Sequence, residues 1–151
     1  MVRWSILRAV DAFNGLTDEQ LEKVALRCEE LALEQGSIIL NESDQSDEIY
    51  IVAEGEVEIS IKTGDTTRPG GSELSIIRLG AGQIFGEMAL IDQGLRSATV
   101  RCVTTPTRVL VIQHEDFMAL CEEDGRLGFI VMRNVAADLC FKLRSHNLAW
   151  K

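Results

Sequence analysis

Apolar residues recur along this chain with two different periods, and the changes of period mark out its elements. Behind the capping signature Thr17-Asp18-Glu19-Gln20, residues Leu21, Val24, Ala25, Cys28 and Leu31 follow at three- and four-residue steps, which predicts a helix over 17–33. From Ser37 the period falls to two, predicting short strands over 37–40, 49–53, 57–62, 74–79, 97–103 and 108–113. The third shows the pattern most cleanly: Val57, Ile59 and Ile61 alternate with Glu56, Glu58, Ser60 and Lys62, as a strand with one wet face requires. Turn residues separate the strands at Glu54-Gly55, Gly64-Asp65, Gly80-Ala81-Gly82 and Thr105-Pro106. The segment 63–72, with Pro69 and three glycines, reads as an interstrand loop because strand pattern resumes at once. Helical spacing returns over 114–123, stops at Asp124-Gly125, and continues from 127 to about 147 without proline.

The long final helix carries two overlapping apolar patterns. Phe129, Met132, Ala136, Leu139, Leu143 and His146 form a short heptad seam suited to a partner helix, while Ile130, Val131 and Val135 widen the apolar face toward the same subunit. Both readings stay open. Together the elements predict a single domain over 1–151 that is mainly β with flanking helices. It divides into an N-terminal helical part at 1–36, strands at 37–113 and C-terminal helices at 114–147. Strands this short and evenly spaced suggest a sandwich or small barrel.

Composition narrows the function. A chain of 151 residues with 46% hydrophobic content buries a real core. Its 15 basic and 24 acidic residues give a net charge of −9, which argues against nucleic acid and anionic membrane as partners. The N-terminal MVRWSILRAVDAF lacks a secretory apolar core and no window approaches a membrane span, so a cytoplasmic location is expected. Cys28, Cys102, Cys121 and Cys140 are scattered with no CxxC pair, and His114 and His146 stand apart; no metal site is expected, and reduced thiols are. No nucleophile elbow, Walker loop or paired-carboxylate cleft is present, so no enzymatic activity and no cofactor are expected.

The candidate chemistry lies in residues 85–100, FGEMALIDQGLRSATV. A short helical turn after a glycine offers backbone N–H groups and a positive dipole end to an anion. Gly86 has no Cβ to hold a ligand away, and Arg96 returns nine residues after Glu87 to fork onto the same phosphate. Glu87 would repel a phosphate at contact, so a binding role assigns it to a nearby hydroxyl. Taken singly, Glu87 suits any helix N-terminus and Arg96 any solvated turn; the combination and spacing carry the signal.

That combination resembles the phosphate-binding cassette of the cyclic-nucleotide-binding domain family, whose members include catabolite activators, kinase regulatory subunits and cyclic-nucleotide-gated channels. The likeness extends from roughly residue 10 to residue 145, including the hairpin entry EIYIVAEGEV from Glu48 to Val57 and the segment from Leu79 to Gly82. The resemblance implies a β-roll, jelly-roll-like, with an N-terminal helix and two C-terminal helices. It implies a ligand site of Ile77, Leu79, Phe85, Gly86, Glu87, Met88, Ala89, Leu90, Arg96, Ser97 and Ala98. Glu87 would accept the ribose 2′-hydroxyl, N–H groups near Ala89 and Leu90 would hold the cyclic phosphate, Arg96 would neutralise it and Ser97 would add a hydroxyl. Ile77 and Leu79 would line the base side. Leu95 stands where many members have proline, a departure shared with channel members that affects loop rigidity.

By the same resemblance, threonine directly after the cassette arginine goes with guanine and alanine with adenine; Ser97 is intermediate and places cyclic AMP only slightly ahead of cyclic GMP. Leu139, Leu143 and Arg144 are the candidate lid, swung through Asp124-Gly125, with Trp150 as a reporter of closure. The sequence ends at Lys151, directly after the long helix, so a DNA-reading, kinase or channel domain is not expected within it, and two readings stay open: a free-standing sensor module or a fragment of a larger protein. The expectation taken forward is a free-standing sensor that regulates a separate effector protein in trans, with a homodimer through the C-terminal helix as a candidate assembly. The alternative is an interaction or structural module whose pocket is vestigial or takes another ligand, such as a cyclic dinucleotide.

Overall fold

A computed structural model describes residues 3–63, 73–92 and 94–149, with side chains described as far as 145. The chain opens with a short helix α1 (Trp4–Leu7), a 3-10 turn at Asp11–Phe13 and helix α2 (Asp18–Ala25). The predicted capping box is formed: the Thr17 hydroxyl accepts from the Gln20 N–H at 3.2 Å, and Gln20 Oε1 accepts from the Thr17 N–H at 3.0 Å.

The expected helix over 17–33 is half right. It ends at Ala25, where Arg27 Nη1 donates to the Lys23 carbonyl at 2.8 Å and closes the last turn. Residues 28–33 form strand β1 (Cys28–Leu33), paired antiparallel to β8 (Thr107–Ile112) from Cys28↔Ile112 to Leu33↔Thr107. Cys28 and Leu31 happened to continue the helical spacing, but Leu31 stays 41% exposed, so the spacing reported no buried face. Six residues stand in register with β8, which bonds the inward-facing half of their backbone groups, and a tertiary partner overrides a local period. Residues 28–33 thus join the sheets rather than the N-terminal helical part.

Five more strands fall close to their predicted places: β2 (Ile38–Leu40), β3 (Ile49–Glu54), β4 (Val57–Lys62), β5 (Glu73–Leu79) and β7 (Thr99–Cys102). The two-residue β6 (Ile84–Phe85), too short to show a period, was not expected. The eight strands build two four-stranded antiparallel sheets, ordered β1-β8-β3-β6 and β2-β7-β4-β5. Leu40, Tyr50, Val52, Val57, Leu79, Phe85, Val100, Val109 and Val111 form the cluster between them. The other face of the first sheet (Ile49, Ile51, Ile84, Leu110 and Ile112) is covered by Leu7, Phe13, Leu21, Val24 and residues of the C-terminal helices. Burial on both faces explains why β3 and β8 read as unbroken apolar runs, whereas β4 alternates. The result is an open β-roll with a helical layer on one side; the loop predicted at 63–72 lies largely outside the described residues.

Helix α3 (His114–Glu123) and helix α4 (Gly125–Ala149) follow, separated by Asp124 alone. Gly128 lets them cross closely: a Cβ there would stand 2.9 Å from Cys121 Cβ. The two apolar patterns of α4 come apart in the fold. Leu127, Ile130, Val131 and Val135 are buried in the helical layer, with Met132 and Leu139 packed at its margin. Phe129 and Leu143 are more than 60% exposed, and Ala136 between them also faces solvent. Part of the predicted seam therefore packs on its own subunit and part is free; the His146 side chain and Trp150 lie outside the described residues.

Candidate functional site

The cassette is built at the edge of the first sheet. β6 pairs with β3, and Phe85 stacks on Tyr50 with ring centroids 5.0 Å apart and planes 3° from parallel. This anchors the chain immediately before Gly86, whose φ of +76° lies in the left-handed region. A Cβ at Gly86 would meet Arg96 Nη1 at 2.9 Å and the Glu48 carbonyl at 3.0 Å, so this position requires glycine for both its dihedral and its crowding. The 3-10 turn Glu87–Leu90 follows, burying Glu87, Ala89 and Leu90 and leaving Met88 51% exposed.

Arg96 is 7% exposed and its guanidinium is held on three sides. Nε donates to Ser46 Oγ at 2.8 Å, Nη1 to the Gly86 carbonyl at 3.3 Å, and Nη2 to the Glu48 carbonyl at 2.8 Å and carboxylate at 3.4 Å. The backbone reinforces this: the Arg96 N–H donates to Asp44 O and the Ser43 N–H to Arg96 O, each at 2.8 Å. Ser46 and Glu48 were not among the predicted site residues. Both lie in a polar run between two strands, which many loops share, and Glu48 also opens the family-like hairpin entry without showing there that it meets Arg96.

Glu87, 5% exposed, meets a partner from the far end of the chain: its Oε1 accepts from Lys142 Nζ on α4 at 3.2 Å. Lys142 also pairs with Asp138 at 2.8 Å, four residues earlier on the same helix. Burial alone would lower the Lys142 pKa, but the carboxylates of Glu87 and Asp138 outweigh it and hold the ammonium above its ordinary value. Of the predicted lid residues, Leu139 packs on the helical layer while Leu143 and Arg144 face solvent. Among the described residues Lys142 is the α4 side chain that hydrogen-bonds the cassette, identifiable only once the rotation of the helix is known.

The structure thus brings Gly86, Glu87 and Arg96 together, and sets other predicted residues apart. Phe85 and Leu79, each at most 1% exposed, belong to the cluster between the sheets. The Ala89 N–H, expected to face a phosphate, donates to the Gly86 carbonyl at 3.2 Å within the turn. Ser97 is exposed, its hydroxyl 3.9 Å from Met88 Sδ, and Ala98 is half-buried. In the second sheet the register aligns Leu79 with Val57, Ile77 with Ile59 and Leu74 with Ile61. Leu79 is sealed, while Ile77 is 39% and Leu74 54% exposed, so this row opens outward as an apolar shelf. β7 runs antiparallel to β4 with Thr99 opposite Ser60, which sets Arg96 and Ser97 beside the open end of the shelf.

A separate cavity of about 40 Å³ lies between α4 and the N-terminal turn, lined by Asp11, Gln83, Asn134, Asp138 and Lys142 among others. It is far below the ~300–1,000 Å³ of ligand pockets. Among the described residues no His, Cys, Asp or Glu group could hold a metal ion, and no helix is long and apolar enough to cross a membrane.

A rolled β-domain with a buried arginine behind a glycine–glutamate turn defines a class of ligand-binding modules, and comparison with known proteins identifies it. The chain belongs to the cyclic nucleotide-binding domain family, whose model matches residues 30–124. It is 35% identical over 136 residues to the cyclic AMP receptor protein of Thermus thermophilus, covering 90% of this chain and 58% of that protein. The chain thus spans less than two thirds of that relative's length, and 29% of a potassium channel homologue from Rhodopseudomonas palustris. Among solved structures, the catabolite activator protein of Thermus thermophilus superposes with a TM-score of 0.77 at 33% identity, covering 93% of this chain and 61% of that one. A cyclic nucleotide-binding domain from Methylobacillus flagellatus shares the fold at a TM-score of 0.80 and 24% identity, covering 94% and 76% of the two chains.

Proposed function

We propose that this protein senses a cyclic mononucleotide, cyclic AMP ahead of cyclic GMP, and regulates a separate cytoplasmic effector in trans rather than catalysing a reaction. The observation that carries this reading is the placement of Arg96: a buried guanidinium, aimed by Ser46 and Glu48, beside the Gly86–Glu87 turn and at the mouth of an apolar shelf. In this reading the cyclic phosphate takes Arg96, Ser97 and the N–H groups of the turn. Glu87 accepts the ribose 2′-hydroxyl, and the base lies over Ile77. A phosphate reaching the Ala89 N–H would share or replace its bond to Gly86. Met88 borders the entrance, and Leu79 and Phe85 support the walls from within the core.

The α4 helix is the output element. Through Lys142 it touches the carboxylate assigned to the ribose, so ligand and helix position are linked. A ligand shifts the helix only by its differential affinity for the two positions. Leu139, Leu143 and Arg144 would close over the base from the same helix, and its free stripe of Phe129, Ala136 and Leu143 would serve a homodimer.

The deciding experiment is thermal unfolding with cyclic AMP, cyclic GMP and a cyclic dinucleotide. A ligand at a hundred times its Kd stabilises by about 2.7 kcal/mol, a rise of roughly 5–10 °C for a domain of this size. A rise with the mononucleotides, larger for cyclic AMP, is expected. A rise only with the dinucleotide, or none at all, would select the alternative of a changed or vestigial pocket.

A further inference from the structure

The break between α3 and α4 is one residue long, and that residue is tied to a helix 104 positions earlier. Asp124 Oδ1 accepts from the Leu127 N–H at 3.1 Å and caps α4. Its Oδ2 accepts from Gln20 Nε2 at 3.3 Å and lies 3.7 Å from Lys23 Nζ. Gln20 uses the opposite end of the same side-chain amide, Oε1, to accept from the Thr17 N–H and close the cap of α2. A single amide therefore joins the caps of two helices. Arg27, just past α2, adds an ion pair to Glu123 at 3.4 Å. Glutamate would serve Thr17 equally well in a capping box, but only glutamine also offers a donor to Asp124.

We propose that Gln20 and Asp124 form a clasp that sets the angle at which α4 leaves α3, coupling the N-terminal helical layer to the ligand site. The lever is long. Lys142 lies about 25 Å along α4 from the break, at about 1.5 Å of rise per residue, so a tilt of about 5° at Asp124 displaces it by roughly 2 Å, while the buried face up to Val135 shifts by little more than half of that. That is enough to part Lys142 Nζ from Glu87 Oε1, now 3.2 Å apart. Gln20 and Asp124 are positioning residues in this scheme, remote from any ligand atom. The proposal rests on the reading of Glu87 and α4 given above, yet its structural half is measurable without ligand.

The test uses the full chain with Gln20→Glu, Asp124→Asn and the two substitutions combined. Gln20→Glu keeps the cap of α2 but sets a carboxylate against Asp124. Amide exchange at Leu127 is then expected to quicken about tenfold. Cyclic AMP affinity measured by calorimetry is expected to weaken about threefold or more. The combined variant should restore both, because an amide at position 124 would donate to a carboxylate at position 20 and the same bond re-forms with donor and acceptor exchanged. Unchanged Leu127 exchange in Gln20→Glu, or a combined variant no better than that single one, overturns the clasp. Altered and rescued exchange with unaltered affinity overturns the coupling to the site. A wild-type chain that fails to bind cyclic AMP defeats the functional reading, and Leu127 exchange still decides whether the clasp exists.

Discussion

Arg96 holds the cassette together as well as facing its proposed ligand. Its removal leaves the Glu48 carbonyl and the Ser46 hydroxyl without this partner and the Gly86 carbonyl with the Ala89 N–H alone, and a buried polar group so orphaned costs about 1–3 kcal/mol. Arg96→Ala is therefore expected to lower the melting temperature by several degrees while leaving a folded domain. In calorimetry it should also lose on the order of 2–4 kcal/mol of ligand affinity, tens to about a thousandfold. Arg96→Lys should bind poorly as well, since an ammonium cannot reproduce the planar fork that meets Ser46, Gly86 and Glu48 at once. Wild-type affinity in the alanine variant would remove Arg96 from the site. For Glu87 the expectation is a coupling: Glu87→Gln and a 2′-deoxy ligand each weaken binding, and together cost less than their sum because they disrupt one interaction. Strictly additive losses in that cycle would separate the carboxylate from the ribose.

At the scale of elements, α4 is fixed unevenly. Its first half is buried through Leu127, Ile130, Val131 and Val135, each contributing roughly 1.5–3 kcal/mol. Asn134 adds hydrogen bonds from Nδ2 to the carbonyls of Ala12 at 3.0 Å and Asn14 at 2.8 Å. Beyond Leu139 the described contact with the cassette is Lys142 on Glu87, a pair in which the lysine side chain is 28% exposed and the glutamate is buried. Breaking it leaves a buried carboxylate unpaired, at a cost of about 1–3 kcal/mol given the partial exposure of the lysine. Lys142→Ala should lower the melting temperature by a few degrees and speed amide exchange over residues 139–145, leaving 127–135 unchanged. Uniform protection along α4 in that variant would show that the second half is held by something other than this pair.

Across the whole molecule, the thiols report both burial and association. Burial pushes the Cys28 thiol up to about 12 and raises those of Cys102 and Cys121, while Cys140 stands exposed on the outer side of α4. Alkylation near pH 8 should modify exposed Cys140 first and buried Cys28 and Cys102 far more slowly, because a thiol must be both reachable and ionised to react. Cys140 sits beside the free stripe of Phe129, Ala136 and Leu143. A homodimer through that stripe should therefore slow Cys140 labelling as protein concentration rises. A rate independent of concentration from micromolar to millimolar would leave α4 without a partner copy. Apolar period and turn chemistry located β2 to β5, β7 and β8, the capping box and the break at Asp124. They missed β6, two residues being too few for a period. They also missed β1, since a strand whose partner is β8 has no local signature when its apolar spacing also fits a helix.

What the sequence determined by itself was whatever depends on neighbours in the chain: the alternation of β4, the capping box of α2, the place of a glycine before Glu87, and the order FGE to Arg96. The family followed from that order, because glycine, acid and arginine at fixed spacing are one local device. Tertiary structure decided what depends on distant neighbours. It determined which half of the α4 seam faces inward and which loop supports Arg96 through Ser46 and Glu48. It also determined that Lys142 rather than Leu143 meets the cassette, and that Gln20 reaches Asp124. These contacts span 48 to 104 residues of chain, and each is set by sheet register and helix rotation, which no local pattern encodes.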